Sequence, residues 1–583
     1  MFFACTGAVL ELAGEHCDDG LVAGWRARVA RAALRLDWTG CEAVARRHAD
    51  GVSLAIAAPF DQLFLATEVN EWALCATLVE RDPIRWTALE EALGEAALQA
   101  AENSSIPIAD TAPVLQETAA FARFERLARS ESRPKLRALV DEAAIRGLPH
   151  VLDDSELTLG AGWGGRSFSV TALPDVSEVP WEALRGIPTA VVTGSNGKTT
   201  TVRLLAACAR AQGWHAGYNC TDGVFLDDET LAIGDYSGPA GARKVMREPR
   251  AQAAIIETAR GGILRRGIAV SHAQTAVITN VSSDHFGEYG IHDLAGLADV
   301  KLVVAASLAP AGVLVLNADD PQLRTRADAI EHRFGRTPRM GWFSTQSDQR
   351  ILHEYRRRGA STCGVPDGRM ILDLDGSQYD LGAVSAMPLS VDGTAVYNVA
   401  NLAGAALAAA ALGIAPATIA SVFTRFGSSP GDNPGRLMRF DVEGVKVLID
   451  YAHNSEGLRG FLRVANHLRA GSGRLGLLLG HAGNRKDADI RELAQVAAEF
   501  RPDLIVVKED EAHLRGRAPG EIPRIIRSEL LRLGFPESAL ALAGSEVESA
   551  RLALDWARPG DLLALPVHST AARAAVVSML KRE

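Results

Sequence analysis

The stretch Ile187 to Thr201, IPTAVVTGSNGKTTT, decides the reading of this chain. Ala190, Val191 and Val192 form an apolar, β-branched run that predicts a buried strand. The polar turn Thr193 to Gly197 follows, and Lys198, Thr199 and Thr200 then open an amphipathic helix, TVRLLAACARAQG. Strand, glycine turn and helix N-terminus together make an anion site, because unpaired backbone N–H groups and the helix dipole face one point. Gly194, Asn196 and Gly197 shape the turn. Lys198 adds positive charge for β- and γ-phosphates, and Thr199 a hydroxyl for Mg²⁺. The general phosphate-loop pattern also wants a glycine where this chain has Val192, so the match is to a variant, T-G-x-N-G-K-T-T. A bare polar turn would not need the lysine and the threonines in this context.

With 583 residues the chain is too long for one core and suits three or four domains. Its 47% hydrophobic and 23% charged residues are those of a globular protein. A net charge of −10 argues against a nucleic-acid partner, since no basic stripe is there to neutralise phosphates. The seven cysteines are scattered and odd in number, without a C-x-x-C pair, so neither a zinc site nor a disulfide framework is expected. The N-terminus has no basic segment and meets Glu11 early, which is unlike a signal peptide. The longest apolar run, Val399 to Phe423, contains Asn401 and Pro416 and reads as a packed helix followed by a turn rather than a membrane span. A cytoplasmic chain without a membrane partner is expected.

Residues 1–150 alternate apolar strands, GVSLAIAAPF and QLFLATEV, with helical stretches, WTALEEALGEAALQAAENS and RPKLRALVDEAAIRG, and predict an N-terminal α+β domain. Residues 151–185 form a glycine-rich junction. From 186 to 431, strands such as AAIIETA, TAVITNV and GVLVLNAD alternate with helices, the βαβ signature of a parallel sheet covered on both faces. Residues 432–583 repeat that alternation with VKVLIDYAHN, RLGLLLGHAG, DLIVVKED and DLLALPVH, which predicts a second α/β domain.

Beyond the loop, IIETARGGILRRG (Ile255 to Gly267), VITNVSSDHFGEYG (Val277 to Gly290), LADVK ending at Lys301, VLNADDP, YNVANLAGA, NPGRLMRF and LIDYAHNSEG follow in order. With T-G-x-N-G-K-T-T, this series resembles the Mur ligase family, ATP-dependent ligases that join a carboxylate to an amine. Within it, NCTDGVFL, ETARGGILR and VVKEDEAHLRGRAPGE are most similar to the ligase half of cyanophycin synthetases, which build a polymer of aspartate and arginine. The resemblance of residues 1–150 is weaker and looks like the N-terminal domain of those enzymes joined to a remnant of an ATP-grasp domain. Fewer than 190 residues precede the loop, too few for that domain plus a whole ATP-grasp fold. The expectation is therefore the shorter, type 2 form, which joins preformed β-aspartyl-arginine dipeptides. The implied fold is a Mur ligase-type phosphate-loop ATPase domain, then a Rossmann-like α/β C-terminal domain that closes over the nucleotide.

The resemblance also implies roles. In the family's route a carboxylate oxygen attacks the γ-phosphate of ATP, and a neutral amine then attacks the acyl phosphate. The protein positions the groups and neutralises charge around the transferring phosphoryl group. Glu257, at the end of an apolar strand, holds Mg²⁺ with Thr199. His285, in SSDHFG, matches the family's second metal ligand. Lys301 matches a carbamylated lysine, whose anion helps to bind a second Mg²⁺. Asn398 matches the adenine-side asparagine, Arg436 the arginine near the γ-phosphate and Asp450 the acid near the ribose. Thr221, Asp222, Arg260 and Arg265 are candidate contacts to a substrate carboxylate, for which arginine's planar fork is suited. His453 shares the loop mouth with Asp450. Peptidoglycan ligases that add a diamino acid carry D-N-P-R where this chain has Lys508-Glu509-Asp510-Glu511, followed by Arg515 and Arg517. The acids suit a guanidinium or α-amino group and the arginines a carboxylate. The expected partners are β-Asp-Arg and the growing polymer, and the expected assembly is a homo-oligomer. Two alternatives stay open: another Mur-type amino acid ligase, or a non-catalytic nucleotide-binding partner of a full cyanophycin synthetase.

Overall fold

The computed structural model describes residues 6–14, 17–48, 51–84, 115–283, 286, 290–330, 337–346, 348, 350–469, 471–483, 485–509 and 514–581. These divide into two compact units. The first comprises Met1–Arg146, Phe168–Val179 and Gly287–His292, the second Gly147–Ser167, Pro180–Phe286 and Asp293–Glu583.

The first unit holds an antiparallel sheet in which Gly51–Ala57 lies between Gly7–Ala13 and Ala43–His48. GVSLAIA is a strand, as its apolar β-branched content predicts, and it is buried along its whole length. QLFLATEV is not a strand. It begins a helix, Leu63–Arg81, that buries Leu65, Ala66, Val69, Trp72 and Ala73. A short apolar run is compatible with either a buried strand or a helix buried on most sides. Here the apolar positions continue at helical spacing to Leu78, which settles the matter for the helix. Within this core Asn70 accepts from Trp25 Nε1 at 2.8 Å and donates to Leu54 O at 2.9 Å, so the buried amide is satisfied. The stretch RPKLRALVDEAAIRG forms the helix Pro134–Ile145, with proline in its first turn. WTALEEALGEAALQAAENS lies outside the described residues.

In the second unit the decisive elements are β1 (Thr189–Thr193), α1 (Lys198–Ala211), β2 (Ala216–Cys220), β3 (Gly223–Leu226), β4 (Glu229–Ile233), β5 (Ala253–Glu257), α2 (Arg260–Arg266), β6 (Ala273–Ile278), α3 (Leu294–Leu302), β7 (Leu308–Asn317), β8 (Arg339–Phe343), β9 (Ser361–Gly364), β10 (Arg369–Leu374), β11 (Ser377–Ala383) and α4 (Val396–Ala411). The strands make one eleven-stranded sheet, ordered β4-β3-β2-β5-β1-β6-β7-β8-β9-β10-β11. From β2 to β9 every pairing is parallel, while β3, β4, β10 and β11 extend the two ends antiparallel. β1 and β5 are buried at every residue, as expected of parallel strands covered on both faces. The chain runs from β1 outward to β2 and returns to β5, then crosses to β6 on the other flank of β1. That reversal places a crevice at the carboxyl ends of β1, β5 and β6, where ligands bind in open α/β sheets. The alanine-rich run becomes α4 and a second helix, Pro416–Phe423, with α4 packed on α1 in the main core.

The later part holds β12 (Met438–Val442), β13 (Val445–Asp450), α5 (Ser455–Leu468), β14 (Leu475–Leu479), α6 (Asp487–Glu499), β15 (Leu504–Lys508), α7 (Glu521–Arg532), β16 (Leu540–Ala543), α8 (Glu546–Trp556), β17 (Leu562–Pro566) and α9 (Thr570–Leu580). Its six-stranded sheet is ordered β12-β13-β17-β14-β15-β16, parallel except for the β12–β13 pair. Among the described residues no helix is long and apolar enough to cross a membrane.

Candidate active site

β1 ends at Thr193 and α1 starts at Lys198, so the turn between them opens at the crevice. Two of its glycines are sterically required. Gly194 has φ +154°, and a Cβ there would sit 1.8 Å from Thr279 Oγ1. Gly197, the N-cap of α1, has φ +84°, and a Cβ would sit 2.1 Å from Asn401 Oδ1. Gly197→Ala therefore combines a left-handed conformation, costing about 1–2 kcal/mol, with a collision against α4. We expect that variant to lose most of its nucleotide affinity, read by ADP titration. Wild-type affinity would show that the turn's shape is not needed.

Further bonds fix the turn from below. Ser195 N donates to Asn280 O at 3.0 Å, Asn196 N to Asn280 Oδ1 at 2.9 Å, and Thr279 Oγ1 to Asn196 O at 2.5 Å. Asn196 also receives a bond from Asn454 Nδ2 at 3.0 Å and donates to Glu456 Oε2 at 3.3 Å, which joins the turn to the start of α5. Lys198 Nζ donates to Gly194 O and Ser195 O, both at 3.1 Å, so its ammonium lies against the turn.

Glu257, the last residue of β5, is fully buried and accepts from Thr199 Oγ1 at 2.8 Å and Thr221 Oγ1 at 3.2 Å. Burial pushes its carboxyl above the usual range, against the pull of Lys198, the Thr199 hydroxyl and Arg436. Arg436 Nη2 lies 3.4 Å from Thr199 Oγ1, and its guanidinium stacks 4.2 Å from the ring centroid of Tyr451. Lys198, Thr199, Thr221, Glu257 and Arg436 thus meet around one point. The paired Thr199 and Glu257 oxygens are hard donors that fit Mg²⁺, which takes few protein ligands and completes its shell with phosphate and water oxygens. Among the described residues no group of three or more His, Cys, Asp and Glu side chains is arranged to hold a metal.

The remaining candidates divide. Thr200 Oγ1 accepts from Asn433 Nδ2 at 3.2 Å. Asn398 is buried, donates to Leu389 O at 3.0 Å and accepts from Asn401 at 3.2 Å. Asp450 accepts from Leu437 N at 2.7 Å, and burial raises its carboxyl against the pull of Arg436. His453 Nδ1 lies 3.3 Å from Tyr451 O, and its ring stands edge-on to the Tyr451 ring. Lys301 is buried on α3, which packs on α2. Arg260 is buried at the start of α2, whereas Arg265 is exposed and bonds Gly261 O at 3.0 Å. His285, Asp510 and Glu511 lie outside the described residues.

Several expected substrate contacts have other employment. Asp222 is taken up by Arg203 and Arg573 at 2.6 and 2.7 Å. Lys508 is buried, paired with Glu546, and donates to Pro566 O at 2.6 Å. Glu546 in turn accepts from His568 N at 2.8 Å and Ser569 N at 2.9 Å. Glu509 accepts from Gly520 N at 2.8 Å, ahead of α7. Arg517 braces the preceding loop by bonding Gly483 O at 3.0 Å, Arg485 O at 2.6 Å and Asp487 at 2.8 Å. Arg515 is exposed with φ +44°. Sequence reasoning missed Asn401, Thr279 and Tyr451. The neighbouring D-Y-A-H was a signal for Tyr451, but nothing local marks a tyrosine as an arginine's platform.

Residues 192–409 match the Mur ligase middle domain and residues 435–565 the Mur ligase glutamate ligase domain. The chain belongs to the Mur ligase family, whose middle and glutamate ligase domains together take in more than half of it. It is 35% identical over 370 residues to the cyanophycin synthetase of Synechocystis sp., a match taking in 63% of this chain and 41% of that protein. It is 27% identical over 405 residues to the UDP-N-acetylmuramoyl-L-alanyl-D-glutamate–2,6-diaminopimelate ligase of Geobacter metallireducens, covering 65% of this chain and 73% of that one. The chain thus spans less than half the length of the cyanophycin synthetase it matches. Among solved structures, E. coli FolC in complex with DHPP and ADP aligns with a TM-score of 0.51 at 17% identity, over 68% of this chain and 89% of that one. That likeness is one of fold.

Proposed function

We propose that this chain forms amide bonds in an aspartate–arginine polymer by joining preformed β-aspartyl-arginine units. The observation that carries the reading is the meeting of Lys198, Thr199, Glu257 and Arg436 at the switch point of a Mur ligase sheet. The similarity to cyanophycin synthetases supports the choice of substrate.

On this reading the N–H groups at the start of α1 and the Lys198 ammonium hold the β- and γ-phosphates of ATP. A substrate carboxylate oxygen attacks the γ-phosphorus, and the bond to ADP breaks. Arg436 stabilises charge on the transferring group, where a fixed cation acts with little reorganisation. The incoming amine then attacks the acyl carbon, phosphate leaves, and the amine's proton passes to solvent. Thr199 and Glu257 would hold Mg²⁺, which would neutralise charge at the phosphates. Lys301, buried where a lysine normally reaches for solvent, carries on the same reading a carbamate for a second ion.

One assay tests the substrate. A polymer with an aspartate backbone and arginine on each side chain contains two kinds of amide, and one activation centre makes one of them. Phosphate release should therefore rise with β-Asp-Arg plus a short primer and stay at background with free Asp plus Arg. Polymer from free amino acids alone would require a second ligase centre. Stimulation by neither mixture would favour another amide ligase.

A further inference from the structure

Asp222 lies between β2 and β3 and faces two guanidinium groups. Arg203 of α1 is 2.6 Å from Oδ2, and Arg573 of α9 is 2.7 Å from Oδ1. All three side chains are more than nine-tenths buried. Burial works to raise the Asp222 carboxyl, but Arg436, Arg203 and Arg573 outweigh it and hold the group below its usual range. A buried carboxylate shared by two cations is seldom a net source of stability, so its use is better sought in what it positions.

What it holds is the segment Asn433 to Arg436. Arg203 Nη1 donates to Pro434 O at 2.7 Å and contacts Asn433 Oδ1 at 3.3 Å. Arg573 lies against Gly435 (φ +73°), where a Cβ would be 2.2 Å from Nη1. Asn433 is tied in turn to Thr200 of the nucleotide helix at 3.2 Å. The next side chain along is Arg436, which bonds Gly435 O at 3.0 Å and reaches Thr199. The segment is thus gripped on one side by the helix that carries Lys198 and on the other by α9.

We propose that Asp222, Arg203 and Arg573 form a clamp that positions Arg436 over the nucleotide turn, with Arg573 the positioning residue supplied by α9. This rests on reading Arg436 as the arginine of the transferring phosphoryl group. The clamp acts through Arg436 and touches no substrate.

The test is a double-mutant cycle on phosphate release, with kcat and the KM for ATP measured separately. Arg573→Met should lower kcat about tenfold or more, since misplacement by about 1 Å can cost up to 10²-fold, and leave KM near its wild-type value. In an Arg436→Met background the same change should cost little, because the group it positions is gone. Equal losses in both backgrounds would show a general structural role and overturn the clamp, as would an unaltered kcat. If Arg573→Met does not fold, Asp222→Asn, which keeps shape but removes the central charge, is read in the same cycle with the same two outcomes. Wild-type turnover in Arg436→Met would overturn the reading of Arg436 and the clamp with it. A large loss there beside no effect of Arg573→Met overturns the clamp alone.

Discussion

Lys198→Ala should lower phosphate release by about 10²-fold or more, the usual cost of removing one group that meets charge developing in a transition state. Its ammonium is already held over the turn by Gly194 O and Ser195 O, so little reorganisation is needed when a phosphoryl group transfers. The fold should survive. Lys198 is the first residue of α1, alanine is a strong helix former, and the lost bonds are two contacts to turn carbonyls. Circular dichroism and melting temperature would confirm the fold, and near-normal turnover in a folded variant would remove Lys198 from the chemistry.

Glu257→Gln should separate activity from stability. The amide keeps the size of the carboxylate, and the Thr199 and Thr221 hydroxyls can each turn to donate or accept, so the local bonds have partners. The charge, however, is gone, and turnover should fall by about 10²-fold or more as Mg²⁺ loses its protein anion. Burial raises this carboxyl in the fold, so folding takes up protons there. A carboxylate of that kind opposes folding once pH exceeds its unfolded pKa, and increasingly up to the folded one. At pH 8 the variant's melting temperature should thus equal or exceed the wild type's. The same raised carboxyl makes Mg²⁺ compete with a proton, so the wild type should need more Mg²⁺ as pH falls towards that value. A melting temperature that drops along with activity would make Glu257 a structural residue instead.

The parts of this architecture that could be read in the sequence are those encoded within a few residues. β1, its turn and α1 announce themselves because an apolar run, two glycines and an amphipathic helix stand in immediate succession. β5 with Glu257 at its end, and β13 with Asp450 at its end, follow the same logic. QLFLATEV failed because a short apolar run has no period long enough to tell strand from helix. The polar candidates show a second limit of local reading. Lys508 looks like a loop cation in sequence, yet it ends a buried strand and its partner Glu546 stands 38 residues away. Asp222 looks like an available acid, yet one of its arginines is 351 residues away. Exposure and distant partners belong to tertiary packing, and residue type alone does not carry them.

That separation of 351 residues between Asp222 and Arg573 also bears on biosynthesis. The strand, turn and helix of the phosphate site are contiguous, so on a ribosome they can assemble as soon as the sheet around them has emerged. The clamp needs α9, so a nascent chain that has made the turn still lacks one wall of the Arg436 segment until Arg573 has left the exit tunnel. On the clamp reading, the Arg436 segment is therefore completed after the contiguous strand, turn and helix of the phosphate site.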